Sequence, residues 1–291
     1  MHGGHYVLTA MGDDALAAFP SSYLPLSEVP KVLSRNRAFE IAFRGDAEKA
    51  LKAARDFNAG RGFDINVVPF ENRRKKLLIA DMDSTIIGCE CLDELADMAG
   101  LKPKISAITE RAMRGEIEFE AALRERVAML KGLPLEALER TYRERVKLNP
   151  GATALVATMK KHGARTCLVS GGFTYFTQRV AKEAGFDDHQ ANDLLDDGEK
   201  LTGFVREPIL GCAAKLMALK IEIESLKIAP EDTLAVGDGA NDLAMIQYAG
   251  LGVAYHAKPV VAEAAHASIA HGDLRALLYL QGYRDDEIVE R

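Results

Sequence analysis

From Lys76 onward the chain alternates between short apolar runs and helical patterns, and this alternation limits the fold more than any other feature. Four β-type runs end in small or acidic residues: "KLLIADMDST", "RTCLVSGGFT", "TLAVGDGAND" and "GLGVAY". Helical patterns such as "PGATALVATMKKHG" and "TYFTQRVAKEAG" lie between them. Continuous apolar strands that alternate with helices indicate a parallel sheet covered on both faces. The sequence therefore predicts an α/β fold.

Two segments interrupt this alternation. The chain between about residues 87 and 148 has helical patterns throughout, among them "CLDELADMAG" and "EFEAALRERVAMLKG". Because these helices directly follow the first strand, we expect them to form a cap over the strand ends. Farther along, "ANDLLDDGEKLTGFV" has Asp-Gly between two apolar stretches, which predicts a β-hairpin.

Residues 1–72 are predicted to form a small α+β domain, separate from the main domain at 73–291. "HYVLTAM" and "FDINVVPF" are typical of strands, "AEKALKAARDFNAGRG" is typical of a helix, and "PKVLSRNRAFEIAF" has room for one or two more strands. A unit of this size is marginally stable alone, so we expect it to pack on the main body or to dimerise. Its order resembles that of the ACT domains, which bind amino acids and dimerise. An ACT-like unit implies a regulatory role through dimer contacts or serine sensing.

Composition and charge exclude several classes of protein. The chain has 291 residues, 37 basic against 43 acidic side chains and a formal net charge of -6, which argues against a general nucleic-acid binder. No apolar run approaches the roughly 20 residues that a membrane span requires, and the N-terminal stretch "MHGGHYVLTAMGDD" does not have the pattern of a secretory signal. The four cysteines show no C-x-x-C spacing, which favours reduced thiols. We therefore expect a cytoplasmic protein.

Acidic residues follow two of the predicted strands. Asp81 and Asp83 come directly after "LLIA", and Asp238 and Asp242, with Asn241 between them, follow "TLAVG". Ligands bind at the carboxyl ends of the strands in parallel sheets, so these acids are expected to meet. Carboxylates so close together repel one another unless a cation compensates their charge. Magnesium suits them, because it takes oxygen ligands and is completed by waters and a substrate phosphate.

Other strand ends offer groups that bind anions. "VSGGFT" places the Ser170 hydroxyl and the Gly171 amide at a strand-to-helix turn, where amides can point at a phosphate oxygen. Lys215, in "GCAAKLMALK", is a candidate fixed positive charge. Carboxylates, magnesium, amide donors and a lysine together are typical of a phosphoryl-transfer site.

The order of these motifs resembles the haloacid dehalogenase (HAD) superfamily, whose four motifs correspond to "DMDST", "SGG", Lys215 and "GDGAND". Within it, the segments "DSTIIGCECLDELA", "GEIEFEAALRERVAMLKGLP" and "DGEKLTG" resemble the phosphoserine phosphatase family. This resemblance runs from about Lys76 to the C-terminus. It implies a Rossmann-like parallel sheet with an inserted helical cap, and Mg²⁺-dependent hydrolysis of O-phospho-L-serine, the last step of serine biosynthesis, through an aspartyl-phosphate intermediate.

The resemblance also implies a role for each motif residue. Asp81 would be the nucleophile, and Asp83 the acid that protonates the leaving serine oxygen and later deprotonates the water. Magnesium would lie between the Asp81 carboxylate, the Asp83 backbone carbonyl and Asp238, with Asp242 behind them. The phosphoryl oxygens would be held by Ser170, the Gly171 amide, Lys215 and Asn241.

Substrate choice is expected in the cap. Phosphoserine carries an ammonium and a carboxylate group, so a site that reads it needs one acid and one base. The resemblance assigns Glu90 to the ammonium and Arg126 to the carboxylate, with Met113 and Phe119 as an apolar wall. Cys89 and Cys91, which flank Glu90, depart from the family pattern.

Two other readings remain open from the sequence. The same chemistry could serve a phosphotransferase to an alcohol such as homoserine, or a phosphatase for another small phosphomonoester. Alternatively, the chain could be a non-catalytic binding or regulatory protein that kept the fold. The intact Lys215 and the intact acids at 81, 83 and 238 argue against the second reading. For the enzyme, the expected partner is a small-molecule substrate, and a homodimer is a further expectation.

Overall fold

The computed structural model describes residues 4–15, 29–58, 60–113 and 116–290. At positions 112, 113 and 212 it describes the backbone alone. Its strands are β1 Gly4–Met11, β2 Lys31–Ser34, β3 Ala38–Gly45, β4 Asp64–Pro69, β5 Leu77–Ala80, β6 Arg165–Phe173, β7 Asp188–Asn192, β8 Leu194–Asp196, β9 Leu201–Val205, β10 Thr233–Gly237, β11 Leu251–Tyr255 and β12 Ala267–Ile269. Its α-helices are α1 Ala47–Asn58, α2 Cys91–Met98, α3 Lys102–Met113, α4 Phe119–Ala128, α5 Leu135–Arg145, α6 Ala152–Lys161, α7 Thr174–Ala184, α8 Cys212–Leu226, α9 Leu243–Tyr248, α10 Pro259–Ala264 and α11 Ala276–Leu280. Among the helices described, none is long and apolar enough to cross a membrane.

The larger sheet has the strand order β12-β11-β10-β5-β6-β7, and every neighbouring pair is parallel. Central strand β5 is fully buried: Leu77 and Ile79 face a cluster with α8, α9 and α10, and Leu78 and Ala80 face a second cluster with α6, α7 and α11. Burial on both faces explains why this strand is apolar throughout. The predicted α/β fold with a parallel sheet is confirmed.

The sheet has two strands, β7 and β12, that the sequence analysis did not predict. Both lie at its edges, each with a single neighbour among the described strands. Strand β7 reads "DHQAN", and four of its five residues are only half-buried. An edge strand covered on one side needs no continuous apolar run, so the pattern that reveals central strands is missing here.

Helices α2 to α5 form the inserted cap, in the segment where the sequence predicts helices. The predicted hairpin is also present as the antiparallel pair β8 and β9. This hairpin is hydrogen-bonded to the cap: Gly132 N donates to Leu201 O at 2.8 Å, and Leu201 N donates to Leu133 O at 2.9 Å. The hairpin and the cap therefore support each other above the sheet.

The N-terminal residues build a four-stranded antiparallel sheet of order β2-β3-β1-β4. Leu8 and Ala10 on one face pack in a small core that includes Ala54 of α1. Val7 and Met11, on the opposite face, belong to the large core of the main body. The possible strand-helix-strand-strand-helix-strand order on which the ACT-like expectation rests needs a further helix between β1 and β2, and most of that connection, residues 16–28, lies outside the described part.

Polar side chains also join the two sheets. Asp64, buried at the start of β4, accepts hydrogen bonds from Ala270 N at 2.7 Å, Gly272 N at 2.7 Å and His271 N at 3.2 Å. Asn66 pairs with both backbone groups of Ser268, at 2.8 and 3.0 Å. The N-terminal sheet thus bonds to the chain at and just after edge strand β12.

Candidate active site

Three adjacent strands, β10, β5 and β6, bring the sequence-predicted acids and the serine to one edge of the sheet. Asp81 follows β5 directly, and its backbone N donates to Val236 O of β10 at 3.0 Å. Asp238 follows β10, and Ser170 lies in the last part of β6. The parallel register therefore gathers residues that are up to 157 positions apart in the chain.

A buried ion cluster lies at the centre of this edge. Lys215 of α8 contacts Asp81 Oδ1 at 2.7 Å and Asp242 Oδ1 at 2.6 Å, and all three side chains are almost fully shielded from solvent. Burial would lower the pKa of Lys215, but attraction to Asp81 and Asp242 raises it above its ordinary value. Lys215 is therefore charged, and its ammonium is fixed beside Asp81.

Asp83 is held by two hydrogen bonds. Its Oδ1 accepts from Cys91 N at the start of α2 at 2.9 Å, and its Oδ2 accepts from Ser170 Oγ at 3.0 Å. The chain reaches this position by a single turn over Met82–Ile86, in which Ser84 has a positive φ of 56°. Burial, which outweighs these hydrogen bonds, raises the pKa of Asp83. The protonated form of this carboxyl is thus favoured relative to an exposed aspartate.

The carboxylates form a cluster that fits a hard divalent cation. One oxygen each of Asp81, Asp238 and Asp242 lies within 4.8 Å of the others. Burial, followed by repulsion from Asp242, raises the pKa of Asp81 and of Asp238. The pKa of Asp238 is raised to about 6. Among the described residues, Lys215 contacts Asp81 and Asp242, whereas Asp238 has a hydrogen bond from Thr85 but no cation in contact, so negative charge is left uncompensated. Oxygen ligands with excess negative charge are what magnesium selects.

Glycines leave room for these acids. A Cβ at Gly172 would lie 2.9 Å from Asp83 Oδ2, and a Cβ at Gly237 would overlap the carboxylate of Asp242. Gly172 N also donates to Ser170 Oγ at 2.8 Å. The "SGG" and "VGDG" motifs therefore serve close packing of the acids as well as presenting backbone amides.

Two of the cap residues predicted to read the substrate, Glu90 and Phe119, lie beside residues of this edge. Ser84 Oγ donates to Glu90 Oε1 at 2.6 Å. Partial desolvation, followed by repulsion from Asp83, raises the pKa of Glu90 to about 7, although solvent still reaches this side chain. From α4, the Phe119 ring is close to Gly171, where a Cβ would lie 3.1 Å from Cζ.

Arg126 is partly buried in the cap, and among the described residues its hydrogen bonds go to the cap alone. Its Nε donates to Ala122 O at 3.2 Å, and its Nη1 to Thr109 Oγ1 at 3.4 Å. Burial lowers the pKa of Arg126, and the charges of Asp93 and Glu90 oppose that shift. Met113 ends α3, but its side chain lies outside the described residues, so its predicted place in the apolar wall is untested.

Other predicted phosphate-binding groups are present at this edge. Ser170 Oγ is engaged with Asp83 and Gly172, and Asn241 lies in the single turn after Gly239. Asp242 also accepts from Gly239 N at 3.0 Å, which orients its carboxylate towards Lys215.

Residues that the sequence analysis did not select also support the site. Thr85 Oγ1 donates to Asp238 Oδ1 at 3.2 Å, and Asn149 Nδ2 donates to Thr85 O at 2.7 Å. Thr85 could have been found from its place in "DMDST". For Asn149 the sequence offers no signal, because its partner is 64 residues away.

Comparisons with known proteins show what this chain is similar to. A model of the haloacid dehalogenase-like hydrolases matches residues 78–247. A phosphoserine phosphatase of Vibrio cholerae serotype O1 is 42% identical over 276 residues, which are 93% of this chain and 81% of that protein. A HAD family hydrolase of Salmonella enterica serovar Typhi superposes with a TM-score of 0.87 at 31% identity, covering 95% of this chain and 98% of its own. A phosphoserine phosphatase solved as a phospho-aspartyl intermediate analogue has a TM-score of 0.66 at 39% identity, covering 71% of this chain and 98% of its own.

Proposed function

The chain belongs to the haloacid dehalogenase-like hydrolase family, and from this membership we propose that it is a phosphoserine phosphatase. It hydrolyses O-phospho-L-serine to serine and phosphate through an aspartyl phosphate on Asp81, in the last step of serine biosynthesis. Relatives with that name cover most of the chain, and a neighbouring structure was solved as a phospho-aspartyl analogue. The sequence resemblance to this family is confirmed.

One observation of the structure carries the mechanism. Asp81 Oδ1 bonds to Lys215 and to Met82 N at 2.8 Å, whereas no described residue donates a hydrogen bond to Oδ2. The free oxygen belongs to a carboxylate whose orientation is fixed at the strand end. A positioned carboxylate with one free oxygen is suited to in-line attack on phosphorus.

The first half-reaction transfers the phosphoryl group to the protein. An oxygen of Asp81 forms a bond to phosphorus while the bond from phosphorus to the serine oxygen breaks. Asp83 gives its proton to that oxygen, so serine leaves as a neutral alcohol. The raised pKa of Asp83 supports this role, since burial favours the protonated carboxyl that the step requires.

The second half-reaction regenerates the acid pair. A water attacks phosphorus, and Asp83, now ionised, takes one of its protons. The bond from phosphorus to Asp81 breaks, which releases phosphate and returns Asp81 as a carboxylate. Throughout, Lys215 stays beside Asp81 and can stabilise the negative charge that develops on the phosphoryl oxygens. Ser170, the Gly171 amide and Asn241 are proposed as the other partners of these oxygens.

Magnesium is the metal we propose for the acid cluster. Asp81, Asp238 and the backbone carbonyl of Asp83 would hold it, and Asp242 would support them through Lys215 and Gly239. When bound, the ion offsets the negative charge of the phosphate and of the carboxylates. Burial, followed by repulsion from Asp242, raises the pKa of Asp81 and of Asp238. This supports the assignment, because a bound cation would favour the ionised form of both acids.

The cap would select the substrate. We propose that Glu90 binds the ammonium of phosphoserine, that Arg126 binds its carboxylate, and that Phe119 and Met113 line the space between. In support, Glu90 accepts a hydrogen bond from Ser84, the residue after Asp83, and Phe119 lies close to Gly171. Arg126 would have to exchange its bond to Thr109 for the substrate.

The division of the chain is a further proposal. We propose that residues 1–72 form a small ACT-like regulatory domain, and that 73–291 form the phosphatase domain with its cap at about 87–148. The separate antiparallel sheet supports this division.

The exposed edge strand β2 of the N-terminal sheet, with Val32 open to solvent, supports the proposal of a homodimer. We also propose a cytoplasmic location, which the free cysteines 89, 91 and 167 favour.

A phosphate-release assay tests the function. Phosphoserine, phosphothreonine and an aryl phosphate are compared with and without a chelator, and serine transfer products are measured in the presence of homoserine. We expect phosphate release, preference for phosphoserine and loss of activity with chelator or with Asp81→Asn. The matched control, Asp56→Asn, removes an exposed carboxylate that pairs with Lys52 and should keep full activity. Phosphoryl transfer to homoserine, or indifference to phosphoserine, would contradict the proposal.

A further inference from the structure

We infer that Asn192, the last residue of β7, is a positioning residue for this reaction, because its side-chain amide links the two backbone segments that carry the phosphate-binding groups. The inference rests on the proposed function. Asn192 is 2% exposed. It touches neither Asp81 nor Lys215 directly, so its effect on the chemistry would pass through the backbone.

Asn192 uses both ends of its amide. Nδ2 donates to Gly171 O at 3.0 Å and to Leu210 O at 3.3 Å, and Oδ1 accepts from Leu210 N at 2.7 Å. Both backbone groups of Leu210 are therefore bonded to one side chain, as an adjacent strand would bond them. A single buried amide thus joins the last part of β6 to the chain that leads into α8.

The bond to Gly171 O acts on the proposed acid. Gly171 O and Gly172 N belong to the same peptide unit, which is planar, so holding the oxygen fixes the direction of the N–H. Gly172 N donates to Ser170 Oγ, and Ser170 Oγ donates to Asp83 Oδ2 at 3.0 Å. A peptide between two glycines rotates with little steric hindrance. The hydrogen bond from Asn192 Nδ2 to Gly171 O restrains the rotation of this peptide.

The bonds to Leu210 act on the lysine and on the cap. Leu210 lies two residues before α8, which begins at Cys212 and carries Lys215 to Asp81. Phe119 of the cap faces the glycines on both sides of this link: a Cβ at Gly171 would lie 3.1 Å from its ring, and a Cβ at Gly211 would lie 3.6 Å from it. Asn192 therefore holds the backbone near Gly171 and the backbone near Gly211 at a fixed separation. The Phe119 ring lies close to both glycines.

The chain offers a matched control for this arrangement. Asn66 is also almost fully buried, and its amide bonds to the N and O of Ser268 as that of Asn192 bonds to Leu210. Asn66 lies in the N-terminal sheet, away from the acid cluster. A merely structural amide should therefore behave alike at both positions.

The test compares Asn192→Ala, Asn192→Asp and Asn66→Ala in the full chain, with thermal unfolding and steady-state kinetics on phosphoserine below the unfolding temperature. Asn192→Asp keeps the acceptor for Leu210 N but loses both donor bonds. We expect each Asn192 variant to lower kcat by about 100-fold with less than about a fivefold change in KM, as expected for lost transition-state stabilisation. Asn66→Ala should lower the unfolding temperature but leave kcat within about twofold.

Two outcomes would overturn the inference. Unchanged kcat in Asn192→Asp overturns the inference, because the bond to Gly171 O would then be dispensable. Equal kcat losses in Asn66→Ala and Asn192→Ala overturn it as well, since the effect would follow general destabilisation. If Asn192→Ala does not fold, Asn192→Asp decides alone. Wild-type protein that releases no phosphate from phosphoserine would contradict the proposed function, which is a separate failure.

Discussion

Two buried aspartates, Asp64 in the N-terminal sheet and Asp81 at the end of β5 in the main sheet, have different hydrogen-bond partners and different roles. At the N-terminal sheet, both oxygens of Asp64 are occupied by backbone N–H groups of residues 270–272. At the main sheet, Asp81 Oδ1 takes both Lys215 and Met82 N, while Oδ2 has no donor among the described residues. The carboxylate with complete bonding joins two sheets, and the one with incomplete bonding lies at the candidate active site.

The two carboxylates differ in how many of their oxygens have a partner among the described residues. Asp81 Oδ2 has no donor among the described residues and is not among the fully buried oxygens, so it is available to a partner from outside the chain. Around Asp81, burial and the nearby charges of Asp242 and Asp83 raise its pKa despite Lys215. A metal ion and a phosphate would complete this site, whereas Asp64 needs neither.

Asp81→Asn should produce the largest effect, in activity alone. We expect kcat for phosphoserine to fall by at least about ten-thousandfold, because an amide cannot take up the phosphoryl group. The unfolding free energy of the metal-free protein should not fall, because the substitution removes a buried charge that its neighbours repel. Steady-state kinetics and chemical denaturation measure the two quantities. Substantial residual activity would remove Asp81 from the mechanism.

Asp64→Ala should show the opposite behaviour. Three backbone N–H groups would lose their acceptor, which we expect to cost about 3 kcal/mol of unfolding free energy. At temperatures where the variant remains folded, kcat should stay within about twofold of wild type. Asp64→Asn, which keeps one acceptor oxygen, should be intermediate in denaturation experiments. A stable Asp64→Ala variant with impaired kcat would break the comparison.

Magnesium should stabilise one region and not the other. At a free concentration 100 times its dissociation constant, an ion that binds only the folded state adds about 2.7 kcal/mol to the unfolding free energy. We expect that gain in chelator-treated wild type and in Asp64→Asn, and its loss in Asp238→Asn. Thermal unfolding with and without MgCl₂ measures it. Equal gains in all three proteins would place the ion elsewhere.

Asp232 provides the smallest test, through pH. Burial opposes its ionisation, but hydrogen bonds from Lys76 at 3.0 Å and Asn72 at 3.1 Å lower its pKa. A lowered folded-state pKa gives stability that is present above the unfolded pKa of about 3.9 and is lost as pH falls through the folded value. Asp232→Asn should therefore cost about 1 kcal/mol at pH 7, and this cost should shrink as the pH falls below about 3.9 towards the folded-state pKa. A cost that does not shrink as the pH is lowered through this range would exclude the charge as its cause.

Functional residues could be predicted from the sequence where they lie within a local sequence pattern. Asp81 and Asp83 follow an apolar strand within three residues, so the strand end and its acids could be identified together. Asn192 left no such pattern, because its partners Gly171 and Leu210 are 21 and 18 residues away. The role of Asp64 depends on amides more than 200 residues distant. Long-range pairing of a single polar side chain has no period, and only the structure shows it.

The most direct test of the central claim is a rapid acid quench of wild-type protein mixed with ³²P-labelled phosphoserine, followed by mapping of the labelled peptide. The account predicts a hydroxylamine-sensitive label on the peptide that contains Asp81, and its loss in Asp81→Asn. Label on a different residue, or turnover with no labelled protein at any time, would contradict it.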